Sequence, residues 1–443
     1  MKKIGKTTVS AIAAALMLSA VLTACGKNNN NASPTAAATK AAETKPTSEE
    51  QQVSPTNEAD NVIPAVNKYP EVQKTSLYGG YTQDMSIIER SLLSTGNTER
   101  LQNVLYKATS GEPITIAFIG GSITEGYKVD KTSCFATLFS EWMAGNFETE
   151  VNCVNAGISG TPSVLGNLRA ERDVLSSDPD LVVVEFAVND GNEDAFKNSY
   201  ESLINKLLAY KTEPAVLLLF TITRDGHTCQ SWQSKIGEFY DLPMVSVPDS
   251  IWKEVKDGHI SYDDYSSDET HPNRQGHKWI RELLSYCIET VYNMDFEKEH
   301  YEIPEDAYYK KYYKDMVLYD NTSLATESLG SWQASKTMNS FPNGWAYVPG
   351  GDNEPLSFKA DCRAMIILFH EMPKNDEEFG AAEVYMDGKK LQTINAVTKS
   401  GWNNPTYCVV FEAVDSEEHE FNIKAAEGFE DKKFEILGIA YTK

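Results

Sequence analysis

Short apolar runs alternate with longer amphipathic segments in the middle of the chain, from residue 114 to about residue 288. This alternation is typical of a parallel sheet covered by helices, and a run such as Leu181-Val182-Val183-Val184 fits a strand buried on both faces. The pattern indicates an α/β domain, which we place at residues 76–297. Its predicted strands are 114–119, 151–155, 181–186, 215–221 and 244–247, and its predicted helices are 98–108, 134–145, 164–175, 195–210 and 274–291.

The pattern changes after about residue 292. A stretch rich in Tyr and Lys is followed by short alternating segments that are separated by Gly, Asn, Asp and Pro. Such segments predict antiparallel strands, so we expect residues 298–443 to form an all-β sandwich of jelly-roll type. The aromatic side chains of this domain could stack on a sugar, and they include Trp332, Trp345, Tyr347 and Trp402. Alternatively they fill its core, and the domain serves as a scaffold or partly closes the cleft of the α/β domain. The predicted strands are 364–369, 382–386, 408–411, 420–423 and 434–440.

The N-terminal segment has the pattern of an export signal. Three lysines within the first six residues precede an apolar run at 9–22 and the sequence Leu22-Thr23-Ala24-Cys25-Gly26. These features predict a signal peptide at residues 1–24. The residues before Cys25 resemble a bacterial lipobox, which implies a lipid anchor at Cys25 and an extracytoplasmic protein held at a bacterial membrane. Residues 25–75 contain few large apolar side chains, and we interpret them as a disordered tether.

Charge and cysteine content narrow the range of partners. The chain of 443 residues has 40 Lys and Arg against 64 Asp and Glu, a formal net charge of −24, which argues against nucleic acid as a partner. The six cysteines after Cys25 lack the close paired spacing of a zinc or redox motif. We interpret them as small buried residues, although an exported protein could oxidise some of them. No cofactor and no metal is expected.

A serine follows the first predicted strand of the α/β domain, in Gly120-Gly121-Ser122-Ile123. Open α/β sheets place their sites at the carboxyl ends of the strands. The glycines permit a tight turn, and the N–H groups at the start of the next helix can face a developing negative charge. The same residues also fit a plain Gly-rich turn that is capped by Ser122.

A histidine and an acid open the last predicted helix of this domain, in Asp268-Glu269-Thr270-His271-Pro272. A serine hydroxyl becomes an effective nucleophile when an imidazole removes its proton, and a carboxylate must fix the tautomer of that imidazole. Asp268 and His271 supply both groups, unless this segment is only a solvated acidic loop. Of the other histidines, His277 is interpreted as structural and His227 as a residue that could line the cleft.

Two further segments follow the second and third predicted strands, Asn155-Ala156-Gly157-Ile158-Ser159-Gly160 and Ala187-Val188-Asn189-Asp190. The N–H of Gly160 and the side-chain amide of Asn189 could join the N–H of Ser122 in binding an oxyanion. The alternative is ordinary turn chemistry, because loops prefer Gly and Asn.

Together the four segments resemble the four sequence blocks of the SGNH/GDSL hydrolase superfamily, in the same order and over about residues 112–292. The resemblance implies a flavodoxin-like, three-layer α/β fold. It also implies that Ser122 is the nucleophile, that Asp268 and His271 complete the catalytic triad, and that Ser122, Gly160 and Asn189 form the oxyanion hole. Gly121 stands where the family usually has Asp, and sequences of this Gly-Gly-Ser-Ile-Thr kind resemble bacterial carbohydrate esterases.

The resulting expectation is a serine esterase that removes O-acetyl groups from a polysaccharide, with an acetylated glycan or another small ester as its substrate. One alternative is a broad-specificity or lipid-active esterase. A second alternative is a non-catalytic surface lipoprotein that binds carbohydrate.

Overall fold

The structure is a computed structural model, and it describes residues 63–442. The predicted signal peptide, Cys25 and the tether as far as residue 62 lie outside the described residues. Within the described part, an α/β region built on one sheet is followed by a second sheet of antiparallel strands. None of the helices in residues 63–442 is long and apolar enough to cross a membrane.

The α/β region contains six strands and ten α-helices among the described residues. The strands are β1 (Leu92–Ser94), β2 (Ile114–Gly120), β3 (Val151–Gly157), β4 (Leu181–Glu185), β5 (Ala215–Phe220) and β6 (Met244–Ser246). The helices are α1 (Met85–Glu89), α2 (Glu99–Thr109), α3 (Ser122–Glu125), α4 (Phe135–Phe147), α5 (Ser163–Asp173), α6 (Asp194–Leu208), α7 (Gln230–Phe239), α8 (Ile251–Lys256), α9 (Tyr262–Tyr265) and α10 (Arg274–Asn293).

The strand order of this sheet is β1-β6-β5-β4-β2-β3. Strands β2 to β6 run parallel, and only β1 is antiparallel to its neighbour β6. From β2 onward the order is that of flavodoxin-like sheets, whose ligands bind where the strand order reverses. In this sheet the reversal lies at the carboxyl ends of β2 and β4. The predicted flavodoxin-like α/β fold is confirmed, whereas β1, a three-residue strand, was not predicted.

Helices cover both faces of the sheet, as the apolar runs of its strands require. In β4, Leu181 and Val183 pack with α2, α4 and α10 on one face. Val182 and Val184 pack with α6 and α7 on the other face. A strand with both faces buried has no polar side, which explains why its sequence is apolar without alternation.

Within residues 63–442, the second sheet contains ten strands, which follow the α/β region along the chain. They are β7 (Val317–Tyr319), β8 (Thr326–Ser328), β9 (Trp332–Ser335), β10 (Gly344–Tyr347), β11 (Leu356–Pro373), β12 (Ala381–Met386), β13 (Lys389–Asn395), β14 (Val397–Thr398), β15 (Asn404–Ala425) and β16 (Glu435–Thr442). All pairings are antiparallel except that of the short β14 with β11. The predicted strands at 408–411 and 420–423 are two parts of the single long strand β15, because Glu412, Glu417 and Glu418 between them also pair with β11.

The two long strands β11 and β15 change their register near Cys362 and Ala364. Phe358 and Cys362 before this irregularity and Ile367 after it all face one core, so the irregularity reverses which residues point inward. The indole N–H of Trp332, at one end of the strand order, donates to the carbonyl of Ile423 in β15. The second sheet thus closes over a single core, as the predicted sandwich requires.

The outer face of this sandwich packs on the α/β region. Val164, Leu165 and Leu168 of α5 share an apolar cluster with Ile366 and Leu368 of β11, and all five side chains are buried. Helix α5 therefore contacts both sheets. Because α5 begins just after Gly160, the β sandwich is fixed close to the carboxyl end of β3.

The α/β region extends beyond both limits that we predicted for it. In the last part of the predicted tether, the N–H of Ala65 bonds to the carbonyl of Lys298, and Tyr69 and Val72 pack on the apolar core. At the other limit, Tyr301 is buried, and the backbone N–H groups of residues 308–310 donate to the buried carboxylate of Glu201. Residues 63–75 and 298–316 therefore complete the α/β region rather than connect or tether it.

Candidate active site

Ser122 begins helix α3 at the carboxyl end of β2, where the strand order of the sheet reverses. The turn before Ser122 is crowded: a Cβ on Gly120 would overlap the side chain of Thr124, and a Cβ on Gly121 would overlap the amide of Asn189. Both glycines are therefore required by close approach. The side chain of Ser122 is almost buried but retains 7% exposure.

His271 joins the other two residues of the predicted triad. Its Nε2 lies 2.9 Å from the hydroxyl oxygen of Ser122, and its Nδ1 lies 3.0 Å from each carboxylate oxygen of Asp268. The loop that carries His271 is closed by two hydrogen bonds to the His271 carbonyl, from the N–H of Ser267 and the hydroxyl of Ser266. The structure thus brings together all three residues, although Ser122 and His271 are 149 positions apart along the chain.

The environment of Asp268 keeps its carboxylate charged. Partial burial alone would raise the pKa of Asp268, but the backbone N–H groups of His271 and Thr270 donate to it, and the imidazole lies beside it. These hydrogen bonds outweigh burial, so the pKa of Asp268 lies below its ordinary value. A charged Asp268 favours the Nδ1–H tautomer of His271, which leaves Nε2 free to accept the Ser122 proton.

The loop that carries Gly160 is tied to the helix of Ser122. Glu125 of α3 accepts hydrogen bonds from the backbone N–H and the hydroxyl of Ser159, and the N–H of Ile158 donates to the carbonyl of Gly120. Gly160 has a φ of +69°, a conformation that favours glycine. The segments of Ser122 and Gly160 are therefore adjacent, as the predicted arrangement requires.

Asn189 follows β4, and its side chain lies against Gly121. The side-chain oxygen of Asn189 is buried without a hydrogen-bond partner among the described residues. A buried acceptor without a partner is costly and calls for an explanation. The side-chain amide of Asn189 thus lies beside the turn of Ser122.

Two carboxyl groups are buried directly behind these segments. Burial raises the pKa of Glu185 to about 6, although it accepts hydrogen bonds from Thr221 and Thr124. Burial also raises the pKa of Asp190 to about 7, although it accepts from the N–H of Ser163 and the amide of Gln233. Sequence reasoning gave neither residue a role, but a lone Glu at the end of the apolar run 181–184 was a visible signal.

Comparison with known proteins agrees with this geometry. Residues 118–279 match the GDSL-like Lipase/Acylhydrolase family. The chain carries a GDSL-like acylhydrolase domain. The protein is accordingly a carboxylic ester hydrolase, and the resemblance inferred from the four sequence blocks is confirmed.

Individual relatives extend the likeness of the esterase beyond this domain. The structure of a two-domain esterase (CEX) active on acetylated mannans is 27% identical, with a TM-score of 0.74 over 80% of this chain and 98% of that chain. The structure of the same protein co-crystallised with mannopentaose is 26% identical, with a TM-score of 0.72 over 80% of this chain and 97% of that chain. Thioesterase 1/protease 1/lysophospholipase L1 of Escherichia coli K12 is 22% identical over 189 residues, 41% of this chain and 86% of the relative.

Two aromatic side chains border the site of the esterase. Tyr127 lies edge-on to the ring of His271, with 4.7 Å between ring centroids, and is 48% exposed. Trp402, from the β sandwich, lies so close to Gly160 that a Cβ there would overlap its indole, and it is 43% exposed. Sequence reasoning named Trp402 together with Trp332 and Trp345, which are core residues, and did not single out Tyr127.

The remaining candidates of the sequence lie elsewhere in the esterase. His277 is buried and stacks on Phe135, whose backbone N–H donates to its Nδ1, and burial lowers the pKa of His277 to about 4. His277 is thus a structural residue, as predicted. The backbone N–H of His227 donates to Thr223, and none of the described hydrogen bonds of His227 reaches the site. Among residues 63–442, no group of three or more His, Cys, Asp or Glu side chains is arranged to hold a metal ion.

The six cysteines of the described part are all unpaired. Cys134, Cys229, Cys287 and Cys362 are buried, as predicted, and Cys408 is partly buried. Cys153 differs from the prediction because it is exposed on the edge strand β3.

Proposed function

We propose that the protein is a serine esterase that removes O-acetyl groups from a polysaccharide. The observation that carries the chemistry is the continuous hydrogen-bond chain from Ser122 through His271 to Asp268. The observation that supports the substrate is the likeness to an esterase active on acetylated mannans, which extends over both sheets of this chain. A non-catalytic lipoprotein would have no need of the complete chain of hydrogen bonds.

The reaction proceeds by two acyl transfers. The hydroxyl oxygen of Ser122 attacks the ester carbonyl while Nε2 of His271 takes its proton, and Asp268 stabilises the resulting imidazolium. The N–H groups of Ser122 and Gly160 and the amide of Asn189 bind the negative oxygen of the tetrahedral intermediate. The bond between the carbonyl carbon and the sugar oxygen then breaks, and His271 protonates that oxygen, which leaves as the sugar hydroxyl. Water, activated by His271, releases acetate from Ser122.

Trp402 supports a glycan rather than a lipid as the partner of this site. It is nearly half exposed beside Gly160, so the alcohol or acyl part of a bound ester would meet an aromatic ring of the β sandwich. Aromatic rings of this kind stack on the apolar faces of sugars. A lipid-active esterase would instead need a deep apolar pocket beside Ser122.

The test is acetate release from acetylated mannan, acetylated xylan and acetylated peptidoglycan. The full chain is compared with Ser122→Ala and with Ser176→Ala, a control at an exposed serine of the α5–β4 connection. We expect release from one polymer that disappears in Ser122→Ala and persists in the control. Faster cleavage of long-chain acyl esters, with no release from any glycan, would favour the lipid-active alternative.

We also propose that Cys25 anchors the esterase to a bacterial membrane, because residues 22–26 resemble a lipobox. Several acyl chains hold a protein far more firmly than a single chain. In a bacterial host, Cys25→Ser should move the protein from the membrane fraction to the soluble fraction. Equal membrane recovery of the variant and the parent would exclude this anchor.

A further inference from the structure

A fully buried arginine spans the two strand ends that lead into the site. The side chain of Arg169, on α5, has no exposed surface. One of its terminal nitrogens donates to the carbonyl of Gly120 at 3.0 Å, and the other donates to the carbonyl of Ala156 at 2.6 Å. The reaction described above assigns no task to this residue.

Both carbonyls belong to segments that position the site. Gly120 ends β2 and stands two residues before Ser122, whereas Ala156 stands near the end of β3 and four residues before Gly160. The planar guanidinium has a fixed spread of donors, so it sets the separation of two acceptors in a way that a flexible lysine cannot. Arg169 therefore fixes the distance between the two backbone segments whose N–H groups face the oxyanion.

The energetics argue against a role in stability alone. Burial lowers the pKa of Arg169 to about 10, and Asp173, 3.1 Å away, opposes this effect, so the guanidinium remains charged at neutral pH. Removing a charge from water is costly, and an apolar side chain of similar volume often stabilises a fold equally well. A buried charge at this position is therefore better explained by what its hydrogen bonds hold in place.

We propose that Arg169 is a positioning residue for the oxyanion site. It keeps the N–H groups of Ser122 and Gly160 at a fixed distance from each other. The proposal rests on the proposed serine mechanism. Displacement of a reacting group by about 1 Å can cost 100-fold in rate, so loss of this bridge should lower turnover and leave substrate affinity almost unchanged.

The experiment compares Arg169→Met and Arg169→Lys with Arg172→Met in the full chain. Arg172 is the matched control because it lies on the same helix and pairs with the same Asp173, but is 45% exposed. A fluorophosphonate that labels the nucleophilic serine counts the competent sites of each variant. Hydrolysis of 4-nitrophenyl acetate then gives kcat per competent site and KM, which separates a misplaced site from a misfolded fraction.

We expect kcat per competent site to fall about 10- to 100-fold in Arg169→Met, with KM within about twofold of the parent. The kcat per competent site of Arg169→Lys should lie between the values of Arg169→Met and the parent, because one ammonium cannot hold both carbonyls in the same geometry. Arg172→Met should match the parent. Unchanged turnover per site in Arg169→Met, or a change confined to KM, would overturn the proposal.

Asp173→Asn keeps the test decisive if Arg169→Met does not fold. It removes the charge partner of Arg169 but leaves both carbonyl bonds, so we expect a lower Tm with unchanged kcat per site. If Arg169→Met does not fold, Arg169→Lys is compared with Asp173→Asn. Turnover per site that is reduced in Arg169→Lys but not in Asp173→Asn supports the bridge, and equal turnover per site in these two variants rejects it. Failure of the serine mechanism itself is recognised separately, by undiminished hydrolysis and undiminished fluorophosphonate labelling in Ser122→Ala.

Discussion

At the scale of single residues, the site combines one charged acid with two acids whose pKa values are raised. Asp268 accepts backbone N–H groups and is partly exposed, so its carboxylate is charged. Glu185 and Asp190 lie one layer deeper, where burial favours their protonated forms. This division assigns Asp268 to the stabilisation of His271 and leaves the two deeper acids to hold loops in place.

Asn189→Ala should lower kcat about 100- to 1000-fold, because the side-chain N–H group of Asn189 is one of three proposed oxyanion donors. The substrate is 4-nitrophenyl acetate, for which kcat and KM are measured separately. KM should change little, since the amide acts mainly on the charged intermediate. A kcat within threefold of the parent would remove Asn189 from the oxyanion hole.

Asp190 makes stability depend on pH. Its pKa of about 7 in the folded protein exceeds the ordinary value of 3.8, so the folded state binds its proton more tightly than the unfolded chain does. The contribution of Asp190 is therefore complete below pH 4 and is lost as the pH rises toward 7, by at most about 1.4 kcal/mol per pH unit. The side chain in Asp190→Asn cannot ionise, so the stability of this variant should not show this loss.

The measurement for Asp190 is urea unfolding of the parent and Asp190→Asn at pH 5, 6 and 7. The difference between the two proteins isolates this carboxyl, because other titrating groups such as His277 are common to both. The stability of the parent relative to the variant should fall steadily over this range. A constant difference would show that Asp190 is already ionised in the folded protein at pH 5.

Sequence reasoning found the residues that form linear motifs and missed those whose role depends on their neighbours in the fold. Ser122 and His271 stand in short recognisable segments, and the structure brings them within hydrogen-bond distance. Arg169 and Tyr127 lie in ordinary helical and loop sequence, and only the fold shows that the first is buried and that the second touches His271. Whether a charged side chain is buried depends on its neighbours in the fold, so the local sequence pattern does not predict it.

At the scale of elements, the parallel strands β2, β4, β5 and β6 were predictable because both of their faces are buried. Apolar runs such as 181–184 leave no other location for the segment. Strand β15 was divided in two because residues 415–418 are Asp, Ser, Glu and Glu, which resemble a loop. In the structure Glu417 and Glu418 pair with Cys362 and Asp361 of β11, and their charge is tolerated because both glutamates are exposed.

The loop between β14 and β15 holds Trp402 by a buried asparagine. Asn404 accepts the N–H of Trp402 at 2.9 Å and donates to the carboxylate of Glu371 at 3.1 Å. Asn404→Ala should therefore release Trp402 and raise KM for an acetylated glycan severalfold, without changing kcat for 4-nitrophenyl acetate. Trp402→Ala should give the same effect.

The double variant tests whether the two changes act through one contact. If Asn404 acts only by holding Trp402, adding Asn404→Ala to Trp402→Ala should change KM no further. Additive increases in KM would show that Asn404 contributes to glycan binding by another route. Unchanged KM in Trp402→Ala would remove the β sandwich from the substrate site altogether.

At the scale of the whole molecule, the described chain behaves as one body built from two sheets. The α5 side chains Val164, Leu165 and Leu168 are buried against the β sandwich, and residues 298–316 complete the α/β region from beyond its predicted limit. Sequence patterns detected the change from α/β to all-β, but they could not locate the boundary, because residues 298–316 have no regular periodicity. Their place is set by contacts such as those with Glu201.

Fragments 63–297 and 63–316, compared with 63–443, test this organisation by thermal unfolding and ester hydrolysis. Both shorter fragments lose the sandwich and expose the apolar side of α5, each large apolar side chain being worth about 2 kcal/mol when buried. Fragment 63–297 also loses the three backbone hydrogen bonds to Glu201, each worth about 1 kcal/mol. We therefore expect Tm to fall in the order 63–443, 63–316, 63–297, with a single unfolding transition in the longest fragment.

If 63–297 matched 63–443 in Tm and in hydrolysis of 4-nitrophenyl acetate, the α/β region would be independent of everything after residue 297. The sandwich would then serve substrate binding alone.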